Sequence, residues 1–160
     1  MMLATSHRAR VFAVKVAVIA ALSAVFSAPT LGLGTVVATL SAHGIGHLPP
    51  GVGRLYLGTV VSSACFGMIG VALGALTRNT IGAIVAAIAW TLFVEQVILA
   101  AIVPGIEKWL PTGAAIGLTN APGPGSAHSL PAAVAGVVLA AYAIVMLLAA
   151  SRTTIRRDVA

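Results

Sequence analysis

Two apolar runs joined by a very short polar turn dominate the sequence. Residues 62–76 carry no charged side chain, and residues 81–103 carry only Glu95. The turn between them, residues 77–80, contains a single arginine and is too short to form a soluble element. Because a helix that crosses a bilayer needs about 20 mainly apolar residues, the pattern predicts two membrane spans that fold back on each other and share a basic tip.

The composition of the whole chain also favours a membrane protein. Only 8% of the 160 residues are charged and the mean hydropathy is +1.08, whereas soluble domains are about 25% charged. We therefore expect an all-α, polytopic transmembrane protein with four spans and a single domain over residues 1–160. The predicted spans are residues 11–40, 55–76, 81–103 and 130–150, with an extracytoplasmic loop at residues 104–129 that holds a short interfacial helical segment.

The first run admits a second interpretation, as a signal peptide cut near residues 27–28. The apolar run continues well past that point and Pro29 follows it directly, so a membrane span is favoured. Proline lacks a backbone N–H and disturbs a helix interior. Pro29 is therefore expected to kink or loosen the first span.

The basic side chains predict the orientation. With four spans both termini share a side with the Arg78 turn, and only Arg54 and Lys108 lie opposite. Basic residues gather on the cytoplasmic side of membrane proteins, so we expect a multi-pass protein of the cytoplasmic membrane with both termini cytoplasmic. The same rule accounts for the net charge of +6. No basic patch is interleaved with aromatic residues, so no nucleic-acid partner is predicted.

Glu95 and Gln96 are the polar candidates within the third span. A charge at mid-bilayer costs about 2.5–3.5 kcal/mol on insertion scales, so such a residue is often a cavity wall, a polar gate or a proton site. Alternatively, Glu95 is neutral, is hydrogen-bonded to Gln96, to Thr91 or to a neighbouring span, or reaches the interface. The residues leave these interpretations open.

The second span contains Gly70 and Gly74 in a GxxxG pattern, with Gly67 close by. Small residues at this spacing let two helices approach closely, so these glycines are predicted to form a packing face. Enzyme motifs are absent from the sequence: there is no phosphate loop, no HExxH, no nucleophile elbow and no close pair of carboxylates. The chain is therefore not predicted to be an enzyme, and no catalytic residue, cofactor or metal site is expected.

Residues 70–90, GVALGALTRNTIGAIVAAIAW, resemble a segment of bacterial ABC-2 type transporter permeases. In that segment a span rich in small residues ends in a short Gly-Ala-Leu-x-Arg-Asn turn and re-enters as the next span. The Trp-Leu-Pro stretch at residues 109–111 and the closing SRTTIRRDVA are also similar to the region before the last span and to the tail of these permeases. The resemblance extends from about residue 9 to the end.

The resemblance implies a membrane-spanning subunit of an ABC-type exporter, acting as a homo- or heterodimer of permease chains within membrane lipid. A separate ATP-binding ATPase would drive it, and the cargo would be hydrophobic. Arg8, Arg10, Arg78 and Asn79 would then belong to the ATPase-facing side. Members usually have six spans, so relative to that pattern the first two are missing.

Two other functions remain open. One is a small proton-coupled efflux protein that uses Glu95, superficially like the small multidrug resistance family. That family carries its acidic residue in the first span, whereas Glu95 is predicted in the third. The other is a non-transporting membrane scaffold or a truncated remnant of a permease.

Overall fold

The computed structural model of the chain describes residues 4–42, 51–77, 79–99, 105–120 and 129–156. All regular structure in these ranges is helical, which confirms the predicted all-α class. In chain order the elements are α1 (Ala4–Ala42), α2 (Val52–Thr77), α3 (Thr80–Ala89), a π-helix (Trp90–Leu99), a 3₁₀ turn (Glu107–Trp109), α4 (Pro111–Thr119) and α5 (Ala132–Arg156).

Three helices are long and apolar enough to cross a membrane, and they lie within α1, α2 and α5. Their apolar stretches are Arg10–Val37, Val52–Thr77 and Ala132–Thr153. These agree with the first, second and fourth predicted spans, to within a few residues at each end. In hydrocarbon every backbone N–H and C=O must be hydrogen-bonded within its own segment, which is why apolar runs of this length form helices.

The third predicted span, residues 81–103, is not established as a crossing. Its apolar helical part covers Ile81–Glu95, and residues 100–103 lie outside the described ranges. From Trp90 onward the helix has π winding, which places more residues in each turn and rises less per residue. The 10 residues of α3 and the 10 of the π-helix therefore extend less than about 30 Å, the thickness of the hydrocarbon core. The four-span topology stays a prediction.

Helix α2 is the centre of the bundle. It packs against α1, α3, α4 and α5. The core between α2, α4 and α5 is formed by Cys65, Ala114, Leu139 and Ala143. Small side chains predominate in this core, so the helix backbones approach closely, as is common where lipid removes the hydrophobic drive for association.

The predicted loop at residues 104–129 contributes a helix to the bundle. Helix α4 packs against α2 and α5, with Ala114 fully buried. Pro111 occupies the first position of α4, and Asn120 ends it with a left-handed φ of 52°. The preceding 3₁₀ turn leaves Trp109 exposed, in agreement with the expected short helical segment.

Helix α1 continues through Pro29. The missing N–H of Pro29 leaves the carbonyl of Val25 without its usual donor. The neighbouring carbonyl of Phe26 accepts from the hydroxyl of Thr30 at 2.9 Å. The helix is thus loosened at one hydrogen bond without being interrupted.

Candidate functional site

The carboxyl group of Glu95 lies inside the helix bundle. Glu95 belongs to the π-helix and is only 4% exposed. Its Oε1 atom accepts a hydrogen bond from the indole Nε1 of Trp90 at 3.0 Å. Its Oε2 atom accepts one from the backbone N–H of Thr112 at 3.2 Å. Both oxygens therefore have a donor, and this one side chain joins the π-helix to the start of α4.

The π winding explains why Trp90 and Glu95 meet. The two residues are five positions apart, and α-helical winding at roughly 100° per residue would turn them about 140° away from each other. A π-helix instead bonds residue i to residue i+5, so side chains five apart lie on the same face. The Trp90–Glu95 hydrogen bond thus depends on the π-helix, and rewinding the segment as an α-helix would break it.

Glu95 also supplies the hydrogen-bond acceptor that the start of α4 lacks locally. Leu110 occupies the N-cap position and makes no side-chain cap, and Pro111 follows it at the first helical position. Since proline has no N–H, Thr112 carries the first free donor of α4, and this donor bonds to Glu95. A carboxylate at a helix N-terminus also interacts favourably with the helix dipole.

The sequence left Thr91, Gln96 and a neighbouring span open as partners of Glu95. The Thr91 hydroxyl donates to a backbone carbonyl of its own helix at 2.9 Å. The side chain of Gln96 lies outside the described part, so its contact with Glu95 stays a prediction. Trp90 and Thr112 were not among the predicted site residues. The five-residue spacing of Trp90 and Glu95 indicates a contact only if the segment is a π-helix. Thr112 is 17 residues away from Glu95, so the sequence gives no local sign of that contact.

A groove of about 960 Å³ with mainly apolar walls lies between α1 and α2 and reaches the C-terminal end of α4. Hydroxyl side chains from both helices line it, among them Ser23, Thr59 and Ser63. Arg54 also lines the groove, and its Nη2 atom donates to the carbonyl of Gly117 at 3.4 Å. The groove is not apparent from the sequence, because its walls come from segments that meet only in the folded chain.

The predicted ATPase-facing arginines are described only in part. Arg10 is exposed near the start of α1. The side chain of Arg8 and the whole of Arg78 lie outside the part of the chain that the structure describes. Contact of these residues with an ATPase stays a prediction.

Asn79 has a clear local role as the N-cap of α3. Its Oδ1 atom accepts from the backbone N–H groups of Ile81 at 3.1 Å and Gly82 at 3.3 Å. Asparagine is among the best N-cap residues because its side-chain oxygen satisfies donors that the first turn leaves free. Asn79 therefore fixes where the chain re-enters a helix after the turn, whatever else the turn contacts.

We expect Asn79→Ala to lower the free energy of unfolding by about 1 kcal/mol, the usual loss when a capping side chain is removed. Asn79→Asp is the matched control, because it keeps the capping oxygen. The measurement is thermal unfolding of the detergent-solubilised protein, followed by circular dichroism. An aspartate variant as unstable as the alanine variant would contradict the capping role.

The three glycines predicted to pack differ in their surroundings. A Cβ atom on Gly67 would meet the hydroxyl of Ser23, so this glycine lies at the contact of α1 with α2. A Cβ atom on Gly70 or Gly74 would meet nothing within 4 Å among the described residues. Packing of these two glycines against another chain stays a prediction. A close approach to backbone atoms occurs at Gly58, next to the end of α4.

Within the described ranges, no group of three or more His, Cys, Asp or Glu side chains lies close enough to hold a metal ion. Comparison of the chain with protein-family models, curated proteins and solved structures found no match.

Proposed function

We propose that this chain is the membrane-spanning subunit of an ABC-type exporter that moves a hydrophobic cargo across the cytoplasmic membrane. The supporting observation is the hairpin over residues 70–90, which resembles the matching element of ABC-2 type permeases. Helix α2 ends at Thr77 and α3 begins at Thr80, so the segment is helical on both sides of the turn, as the resemblance requires.

In this proposal the energy comes from another polypeptide, since the chain carries no phosphate loop. ATP binding and hydrolysis on that ATPase tilt the helices and open a path between two permease chains. The termini and the Arg78 turn face the cytoplasm by the positive-inside rule. Arg78 is then the basic tip that an acidic surface of the ATPase contacts.

Co-purification tests this proposal. The tagged chain is expressed in its native membrane and extracted in mild detergent, and an ATPase with a phosphate loop is expected to elute with it. Arg78→Glu should lower the ATPase recovery about fivefold, because reversing a charge at a contact costs on the order of 1 kcal/mol. Lys108→Glu makes the same change on the predicted opposite side and should leave recovery unchanged.

Two results would contradict the exporter proposal. The first is a chain that reaches the membrane in normal amounts and captures no ATPase. The second is equal ATPase recovery by the Arg78→Glu and Lys108→Glu variants, which would remove the turn as the contact.

A proton-coupled efflux protein is the second candidate, because Glu95 is a buried acid in an apolar segment. Its hydrogen bonds weigh against this role. Both neighbours of the carboxyl group are N–H donors, and such donors bond more strongly to a carboxylate than to a neutral acid. Proton-driven efflux by the parent chain, abolished in a folded Glu95→Gln variant, would favour this candidate over the exporter. Absence of both efflux and a captured ATPase would favour a scaffold or remnant.

A further inference from the structure

The groove between α1 and α2 contains hydroxyl groups that no residue in the described part of the chain uses as hydrogen-bond partners. Serine and threonine in helices normally donate to a carbonyl three or four residues earlier, as Thr30 and Thr35 do in this groove. In contrast, the hydroxyls of Ser23, Thr59 and Ser63 have no hydrogen-bond partner among the described residues. The Ser23 hydroxyl lies against Gly67 at the contact of α1 with α2, so the donors available to a molecule in the groove are those of Thr59 and Ser63.

The groove also carries a positive charge without a balancing acid. Arg54 makes one long hydrogen bond, 3.4 Å to the carbonyl of Gly117, although a guanidinium group has five N–H donors. In the described part of the chain the carboxylates are Glu95 and Glu107. Both oxygens of Glu95 already accept hydrogen bonds, from Trp90 and from the start of α4. Neither acid forms an ion pair with Arg54. A ligand that complements this site is therefore an anion with several acceptor oxygens.

The walls of the groove are suited to a molecule that is apolar at one end. Phe26, Leu31 and Leu55 line it together with the hydroxyl side chains. The surrounding helices α1 and α2 have the length and composition of membrane spans. At about 960 Å³ the groove lies at the upper end of the volumes of small-molecule sites, about 300–1,000 Å³.

We propose that this groove binds an anionic phospholipid. The phosphate pairs with the guanidinium group of Arg54, because the planar, bidentate N–H donors of that group suit phosphate oxygens. The hydroxyl of Thr59, about 7.5 Å further along α2, donates to a glycerol ester oxygen of the same lipid. One acyl chain lies along the apolar wall. The positive end of the α2 dipole adds to the attraction, because Val52, the first residue of α2, also lines the groove.

Thermal unfolding of the delipidated full chain in detergent tests the proposal. The added probes are dioleoyl-phosphatidylglycerol, dioleoyl-phosphatidylcholine and inorganic phosphate. Phosphatidylglycerol at about 100 times its dissociation constant should raise the midpoint by about 5 °C, while phosphatidylcholine and phosphate should not. Native mass spectrometry should show one retained phosphatidylglycerol per chain.

Variants of the groove locate the site. Arg54→Gln should weaken phosphatidylglycerol binding about tenfold, as expected when a charged hydrogen-bond partner is lost, and Arg54→Lys should restore part of it. The matched control is Arg152→Gln, which removes an exposed basic side chain near the end of α5 and should bind as the parent does. If Arg54→Gln fails to fold, the Thr59→Val variant keeps the charge and should weaken binding about threefold.

Several outcomes overturn the inference. Equal stabilisation by both phospholipids would show that the anionic headgroup does not determine binding. Stabilisation by inorganic phosphate alone would show that the groove is a phosphate site. No effect of phosphatidylglycerol on the parent, or equal binding by the Arg54→Gln and Arg152→Gln variants, removes the site altogether. The inference is independent of the exporter proposal, since lipid binding is measured without an ATPase.

Discussion

Replacing Glu95 with alanine is expected to lower the free energy of unfolding by about 3 kcal/mol. The substitution removes the acceptor for the Trp90 indole and for the backbone N–H of Thr112, the two groups that Glu95 joins. A hydrogen bond to a charged group contributes about 1.5–3 kcal/mol, and the Thr112 N–H, left without an acceptor at the start of α4, adds a desolvation penalty. Burial of the Glu95 carboxylate in the folded protein costs desolvation free energy. The alanine variant does not have this cost, which offsets part of the loss.

Glu107→Ala is the matched control for this prediction. Glu107 is the other acid in the described part, and its side chain makes no hydrogen bond there. We expect its replacement to change the free energy of unfolding by less than about 0.5 kcal/mol, as for most surface substitutions. Equal losses in the two variants would mean that the contacts of Glu95 do not stabilise the bundle.

A double-mutant cycle separates the two contacts of Glu95. Trp90→Phe removes the indole donor and leaves Thr112 in place, so the Trp90–Glu95 pair should show a coupling energy of about 1 kcal/mol. Indole fluorescence in a Trp109→Phe background, where Trp90 is the remaining tryptophan, reports the same contact locally. An emission spectrum that Glu95→Ala leaves unchanged would contradict the hydrogen bond.

Gly58→Ala is expected to destabilise the protein by about 2–3 kcal/mol. A Cβ atom at this position would lie 2.6 Å from the carbonyl oxygen of Leu118 and 2.8 Å from the Cα atom of Thr119. Both are backbone atoms at the end of α4, so the clash is relieved only if α4 moves away from α2. Forcing extra atoms into a packed contact typically costs about 1–3 kcal/mol.

Gly70→Ala makes the same chemical change on the same helix. Its Cβ atom would meet nothing within 4 Å among the described residues, and alanine is the better helix former by about 1 kcal/mol. Thermal unfolding should therefore show Gly70→Ala at or above the parent midpoint and Gly58→Ala well below it. If both variants unfold at the same temperature, α4 does not pack against α2 as described.

The helical class and the three long apolar helices follow from the sequence alone. Hydropathy and run length are local properties, and lipid leaves a long apolar segment no hydrogen-bonding alternative to the helix. The turn of residues 77–80 and the helices on both sides of it were predictable for the same reason. Asn79, a capping residue next to Thr80, marks the start of α3 in the sequence itself.

The environment of Glu95 could be decided only by the tertiary structure. Its partners depend on π winding after Ala89 and on a short helix that begins at Pro111, and neither is encoded in hydropathy. The same holds for the glycines: the GxxxG pattern draws attention to Gly70 and Gly74, yet the closest backbone approach on α2 is at Gly58. A sequence pattern identifies residues small enough for close packing, while the helix that packs there is selected by long-range contacts.

The groove at Arg54 illustrates the same division. Composition and run length determined that this chain forms apolar helices of spanning length, because those properties act within one segment. The juxtaposition of α1 hydroxyls, α2 hydroxyls and one guanidinium group arises only when two helices and the end of α4 come together. Side chains from segments far apart in sequence come together only through packing. The tertiary structure alone therefore decided where the hydroxyl groups and Arg54 line one groove.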